Sequence, residues 1–252
     1  MFPFESSRLT LRGEANCGRE PERFSIMASK SKKNRRNQEK VPDEAVGVSQ
    51  AVGFLKQFDG AKFDETVELA LKLGIDPKNS TQIVRGAVSL PHGIGKEITV
   101  IAFCEGELAD AAKEAGALEA GGEALAQKLL DGWLDFDVAI AHPSMMRYVG
   151  KLGRVLGPHS KMPSPKSGTV TDDVVGTVKD FRAGKVEFRN DDHGNIHAIM
   201  GKKSFSVEQL TENVESFIEH INSIRPTSTK GNYLRKAVIS ATMSPGIALD
   251  VV

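Results

Sequence analysis

Five stretches of this chain hold residue types that do chemistry. His92-Gly93-Ile94-Gly95-Lys96 has the look of a phosphate loop, but the Walker spacing and the Ser or Thr after the lysine are missing. Glu105-Gly106-Glu107-Leu108 follows an apolar run, where a dinucleotide fold would carry its glycine fingerprint. It sets carboxylates where a pyrophosphate would sit. His193 and His197 are four apart yet flank a turn, so they lack the one-sided placement that a helix gives a metal-binding pair. Residues 153–169, GRVLGPHSKMPSPKSGT, are rich in proline and glycine and carry Arg154, Lys161 and Lys166. They read as a long ordered loop, too irregular for helix or strand, and a stiffened basic loop suits contact with phosphates. Residues 240–246, SATMSPG, offer small hydroxyls and a flexible Met that suit a ribose or base edge, although on residue types alone they are also simply a turn. No Ser-His-Asp or Cys-His set is visible. The reading is of a binding protein, with no catalytic residue, no metal and no cofactor expected.

Charge supports this once it is resolved along the chain. The 33 basic and 33 acidic residues cancel, which by itself argues against a nucleic-acid partner. Residues 97–137, however, hold ten carboxylates against Lys113 and Lys128, whereas 138–166 hold Arg147, Lys151, Arg154, Lys161 and Lys166 and no acid. Residues 28–40 are basic as well. Segregated charge lets a neutral protein present a positive face, though ordinary solvated faces would read the same way. Cys17 and Cys104 are the only cysteines, which excludes a disulfide scaffold and fits a reducing cytoplasm. No apolar run reaches the ~20 residues of a membrane span, so no membrane partner is expected. Residues 1–26 are irregular and Met27 offers a second plausible start, so 1–40 are expected to be a basic, disordered tail.

The elements that must position these stretches follow from periodicity. Apolar residues recur at helical spacing over 43–58 and then alternate over 63–73, with Glu65 as the one polar exception on the inward face. Residues 83–90 form another expected strand. From 98 the texture changes: apolar strands at 98–104 and 136–141 alternate with helices at 108–115, 124–130 and 143–152, the pattern of a parallel sheet covered on both faces. Thr171, followed by Asp172 and Asp173, is the expected cap of a helix running to 181. Strands at 185–190 and 195–200, a helix opened by the capping box of Ser206 and Gln209, and strands at 233–241 and 247–251 complete the chain. The fold class is therefore α/β and α+β. One α+β domain is expected from 41–93 and 185–252, interrupted by a three-layer, Rossmann-like α/β domain at 94–184. Gly93, Gly95 and Gly184 would form the hinge where the chain crosses twice.

Six blocks carry a resemblance: KFDETVELALKLGIDP at 62–77, VRGAVSLPHGIGK at 84–96, DGWLDFDVAIAHP at 131–143, LGRVLGPHSKMPSPKSGTV at 152–170, KVEFRNDDHGNIHAIMGKKSF at 185–205 and STKGNYLRKAVISATMSPG at 228–246. In this order they closely resemble the L-one family of large-subunit ribosomal proteins. The resemblance implies the same two-domain fold and a protein of the large ribosomal subunit that binds the 23S rRNA stalk. It further implies help in moving and releasing exit-site tRNA, repression through its own mRNA leader, and a monomer when free. Carried over position by position, the rRNA-binding set would be Lys62, Phe63, Thr66, Glu68, Gly201, Lys202, Ser204, Phe205, Thr242, Met243 and Ser244, with Arg154, Lys161 and Lys166 as secondary RNA contacts. Two departures stand out. Ser244 replaces the family's usual Gly, adding a side chain where RNA would approach closely. The loop also carries its cation at Lys161 instead of the usual Arg position, losing a planar donor. The rival readings are a stand-alone translational regulator of the same fold and an α/β enzyme using the inserted segment.

Overall fold

The computed structural model describes residues 32–42, 44–79, 81–229 and 231–250. Cys17, Met27, the basic residues before 32, and 251 at the end of the last expected strand lie outside the described residues. The first elements are α1 (Lys32–Glu39), α2 (Val48–Gln57), β1 (Thr66–Leu73) and β2 (Arg85–Ser89). There follow β3 (Val100–Phe103), α3 (Glu107–Glu114), β4 (Glu119–Gly121), α4 (Glu123–Leu130), β5 (Val138–Ala141), α5 (Met146–Lys151), α6 (Gly153–Leu156) and α7 (Val174–Ala183). The chain then runs through β6 (Lys185–Arg189), β7 (Asn195–Lys202), α8 (Val207–Ser223), β8 (Leu234–Ala241) and β9 (Ile247–Leu249). Among the described residues no helix is long and apolar enough to cross a membrane.

Both ends of this span build one antiparallel sheet in the order β7-β1-β8-β9. The period of two along β1 sends Val67, Leu69, Leu71 and Leu73 to the covered face and Thr66, Glu68, Ala70 and Lys72 to the open one. Burying a leucine in this way contributes about 1.5–3 kcal/mol. The cover is α2, through Ala51, Val52 and Leu55, and α8, through Leu210, Val214, Phe217, Ile218 and Ile221. The apolar spacing of α8 places these residues on one stripe. Its start is fixed by the expected capping box: Ser206 accepts from the Gln209 amide at 3.1 Å while Gln209 Oε1 accepts from the Ser206 amide at 2.9 Å.

A second, parallel sheet has the order β4-β3-β5. Apolar clusters lie on both of its faces. One includes Leu125 and Leu129 of α4, Val149 of α5 and Leu156 of α6; the other includes Ala112 of α3 and Val174, Val178 and Phe181 of α7. This is the three-layer α/β arrangement that the alternating pattern predicts. The two sheets are joined by the antiparallel pair β2 and β6. Beyond it the two passing segments touch glycine to glycine: a Cβ on Gly184 would lie 2.5 Å from Gly93 Cα, and both glycines have positive φ. Buried Asn213 of α8 holds this crossing, accepting from the His92 amide at 3.1 Å and donating to Gly93 O at 3.1 Å and Met200 O at 2.8 Å.

Several expectations need correction. Residues 32–39, assigned to a disordered tail, form α1. Strand β1 begins at Thr66, three residues later than expected: Glu65 lies inward as the alternation requires, but Phe63, expected on the same face, is exposed. The segment 153–169 is not loop throughout: it opens with α6 and contains a 3-10 turn, Pro165–Ser167. Asp173, rather than Thr171, caps α7 by accepting from the Gly176 amide at 2.9 Å. Strand β4 was not expected.

The β6–β7 turn is closed by Asp191, whose Oδ1 accepts from the amides of Asn195 at 2.7 Å and His193 at 2.8 Å. These bonds, the Asn195 amide first, lower its carboxyl from 3.8 to about 2. A depressed carboxyl contributes stability above its unfolded value, and that contribution is lost as pH falls from about 3.8 towards 2. Asp191→Ala should therefore be less stable than the parent at pH 6 by urea denaturation. The difference should close between pH 4 and 2, and a gap independent of pH would show that the carboxylate is not its source.

Candidate functional site

The open face of the antiparallel sheet carries its polar residues in rows. At the upper edge Thr66 is paired with Lys202 of β7, while Thr242 stands just past the end of β8. The three are hydrogen-bonded together. Lys202 Nζ donates to Thr66 Oγ1 at 2.8 Å, the Thr66 amide donates to Thr242 Oγ1 at 3.1 Å, and the Thr242 amide donates to Thr66 O at 3.1 Å. The next row is Ile199, Glu68 and Ser240, and below it lie His197, Ala70 and Val238, then Asn195, Lys72 and Lys236.

Lys202 reaches this face only because of a β-bulge. The register slips between Val67, opposite Gly201, and Glu68, opposite Ile199, so Met200 and Gly201 are both buried. Without the extra residue the alternation would set Gly201 on the open face and Lys202 underneath. Gly201 has φ 149°, and a Cβ there would press on the Phe205 ring at 3.0 Å.

Glu65 organises the loop above this edge. It is 1% exposed; Oε1 accepts from the Ala61 amide at 2.5 Å and Oε2 from the Ser244 hydroxyl at 3.3 Å. Its carbonyl accepts from the Lys203 amide at 2.8 Å, and Lys203 Nζ donates to Phe58 O at 2.9 Å. One carboxylate thus ties the approach to β1 to the turn after β8. Two large apolar side chains are left in solvent beside it, Phe63 at 55% and Met243 at 59% exposure. Exposed aromatic and thioether groups next to fixed donors suit a ligand that offers flat apolar surfaces and hydroxyls.

The predicted residues separate into three groups. Thr66, Lys202 and Thr242 form the hydrogen-bonded set, Glu68 lies in the next row, and Lys62, Phe63 and Met243 are exposed at the rim. Ser204 also lies at the rim, fastened by its hydroxyl to Asp64 Oδ2 at 2.8 Å. Gly201, Phe205 and Ser244 face elsewhere. The Phe205 ring packs against Gly95 and Gly201, and the Ser244 hydroxyl turns to Glu65. Among the secondary cations, Arg154 and Lys166 are exposed. Lys161 is not a free cation, since its Nζ donates to Leu134 O at 2.9 Å and Phe136 O at 2.5 Å and sits over the Phe136 ring. The segment 92–96 is not a phosphate cradle either: His92 pairs with Glu212 and Lys96 with Asp137. Glu65 and Asp64 escaped the sequence reading, although the broken alternation at Glu65 was the available signal. Among the described residues no three His, Cys, Asp or Glu side chains gather as a metal site would require.

Comparison with known proteins gives a consistent answer. The model of the Ribosomal protein L1p/L10e family matches residues 55–245. The chain is 52% identical over 207 residues to the large ribosomal subunit protein uL1 of Kosmotoga olearia, covering 82% of this chain and 90% of that protein. It is 50% identical over 224 residues to the protein of the same name from Clavibacter michiganensis subsp. michiganensis, covering 88% and 98%. A third uL1, from Thermosipho melanesiensis, is 50% identical over 204 residues, covering 81% and 88%.

Removing the Glu65 carboxylate should loosen the loop. Glu65→Ala is expected to cost about 1–3 kcal/mol of unfolding free energy and to speed hydrogen exchange at the Ala61 amide. Glu65→Gln, which keeps an acceptor for that amide, should lose less. Equal losses in the two variants would show that packing, not hydrogen bonding, is the role of this side chain.

Proposed function

Because the chain belongs to the Ribosomal protein L1p/L10e family, we propose that it is a structural, non-catalytic protein of the large ribosomal subunit, held on the 23S rRNA stalk by the upper edge of its open sheet face. The observation that carries this reading is the hydrogen-bonded set of Thr66, Lys202 and Thr242, flanked by exposed Phe63 and Met243. Thr66 Oγ1 accepts from Lys202, which leaves its own proton to offer, and the Lys202 ammonium keeps further donors. Glu68 only accepts, from a ribose 2′-OH or a base amino group. A row of mixed donors and acceptors with few charges reads 2′-hydroxyls and base edges, while Phe63 and Met243 supply surface for a sugar or an unstacked base.

The same face would serve a mimic of that RNA in the leader of the protein's own mRNA. Exposed Arg154 and Lys166, in the segment between α5 and α7, are kept as secondary RNA contacts through phosphates, and exit-site tRNA is a further partner of the reading. Residues 41–93 with 185–252 then act as the anchoring domain and 94–184 as the domain that moves, about the crossing of Gly93 and Gly184. Three clusters of buried apolar residues, one beneath the antiparallel sheet and two about the parallel sheet, support the division, and half-buried Ile98 bridges the first to one of the others. In the present arrangement Arg85 Nε donates to Ser167 Oγ at 2.9 Å and Arg85 Nη2 to Glu187 at 3.0 Å, and Ser167 Oγ donates to Glu187 at 2.5 Å. The two bonds of Ser167, to Arg85 and to Glu187, would have to part if the two opened, while the Arg85–Glu187 pair stays within the anchoring domain.

Two measurements test the reading. The protein should bind a stalk rRNA fragment more tightly than a scrambled hairpin, and Phe63→Ala and Thr242→Ala should each weaken specific binding by about 1–3 kcal/mol. Equal binding of the two RNAs, or parental affinity in both variants, would place the site elsewhere. In solution scattering, free protein should sample more than one interdomain arrangement, and Arg85→Ala should enlarge its mean radius of gyration. A single compact shape in both would count against the hinge.

A further inference from the structure

Helix α1 contains no apolar residue: its sequence is KKNRRNQE. A short helix of this kind has no hydrophobic face to stabilise it, and its cations repel one another. It is nevertheless fastened through polar contacts. Asn37 is fully buried and pairs with the backbone of Asp59 in both directions, Nδ2 donating to Asp59 O at 3.3 Å and Oδ1 accepting from the Asp59 amide at 3.1 Å. Lys33 donates to Gly60 O. Gly60 in turn lies beside Lys203 and Glu65, so α1 is docked on the segment that leads from α2 to Lys62 and Phe63.

The docking decides which way the charge faces. Lys33 and Asn37 are one helical turn apart on the bound side. Lys32, Arg35 and Arg36, three and four residues apart, lie together on another side, and all three are exposed, as is Lys40 just beyond the helix. The only carboxylate in the helix is Glu39. A cluster of one ammonium and two guanidinium groups, carried by a helix docked on the approach to β1, fits the sugar–phosphate backbone of the same strand.

We propose that α1 is a second RNA contact, in which Lys32, Arg35 and Arg36 grip phosphates flanking the segment held by Thr66, Lys202 and Thr242. This rests on the RNA-binding reading of the sheet edge and adds a charge-dependent anchor to it. Phosphate contacts hold position without reading sequence, so the helix contributes affinity and register while the sheet edge supplies selectivity.

The test measures affinity for the stalk fragment and for a scrambled hairpin across a range of salt concentrations. A triple variant, Lys32→Gln, Arg35→Gln and Arg36→Gln, should bind both RNAs about 10- to 100-fold more weakly at moderate salt. It should also lower the slope of log affinity against log salt by about 2–3, and leave the preference for the stalk RNA intact. Asn37→Ala, which changes no charge, should reproduce part of the loss because the cations are no longer held in place. Parental affinity and slope in the triple variant would overturn the proposal while leaving the sheet-edge reading standing. Loss in the triple variant with none in Asn37→Ala would overturn it in favour of unpositioned attraction. A triple variant that keeps its RNA affinity but loses co-sedimentation with an acidic protein would reassign the face to that partner. A parent protein that does not prefer the stalk RNA would overturn both readings.

Discussion

Strand β1 is hydrogen-bonded along both edges, by β7 on one side and β8 on the other, and everything at the candidate interface depends on that double pairing. The strand sends Thr66, Glu68, Ala70 and Lys72 to the open face. It brings Thr66 and Glu68 into rows whose other members come from far along the chain, 136 residues away at Lys202 and 176 at Thr242. Register is stringent here because the reverse face is filled by Val67, Leu69, Leu71 and Leu73. A slip of one residue would exchange these with Thr66, Glu68, Ala70 and Lys72 and empty the core.

Within that frame two local irregularities do the shaping. The bulge at Met200 and Gly201 moves Lys202 onto the open face, and buried Glu65 pulls the approach to β1 inward so that Phe63 is left outside. Each breaks a simple rule of alternation, and each does so at the edge where the candidate interface lies. A carboxylate held at 1% exposure needs its acceptors satisfied. Here they are satisfied by an amide from one side of the site and a hydroxyl, Ser244, from the other. Ser244 thereby ties the turn after β8 to the approach to β1.

What could be read from the residues alone was what is local. The start of α8 was legible because Ser206 and Gln209 satisfy each other's amides three residues apart, and the inward face of β1 was legible because its period is two. Strand β4 spans three residues, too few for any period to show. Helix α1 was missed because it has no apolar stripe and is held by one buried asparagine. Lys161 was misread as a free cation because its acceptors are carbonyls 25 and 27 residues earlier, which no local pattern announces. The grouping of Thr66 with Thr242 came from the family resemblance and from nothing in their own neighbourhoods; only the fold brings them together.

The separation of 176 residues between Thr66 and Thr242 also has a meaning in time. At typical elongation rates of about 5–20 residues per second, β1 is made roughly 10–35 s before its last partner emerges. During that interval the parallel sheet, whose strands are close in sequence, can close over short loops, while β1 waits with both edges unfilled because β7 and β8 follow β5 in the chain. The edge row of Thr66, Lys202 and Thr242 is consequently among the last features that the nascent chain completes.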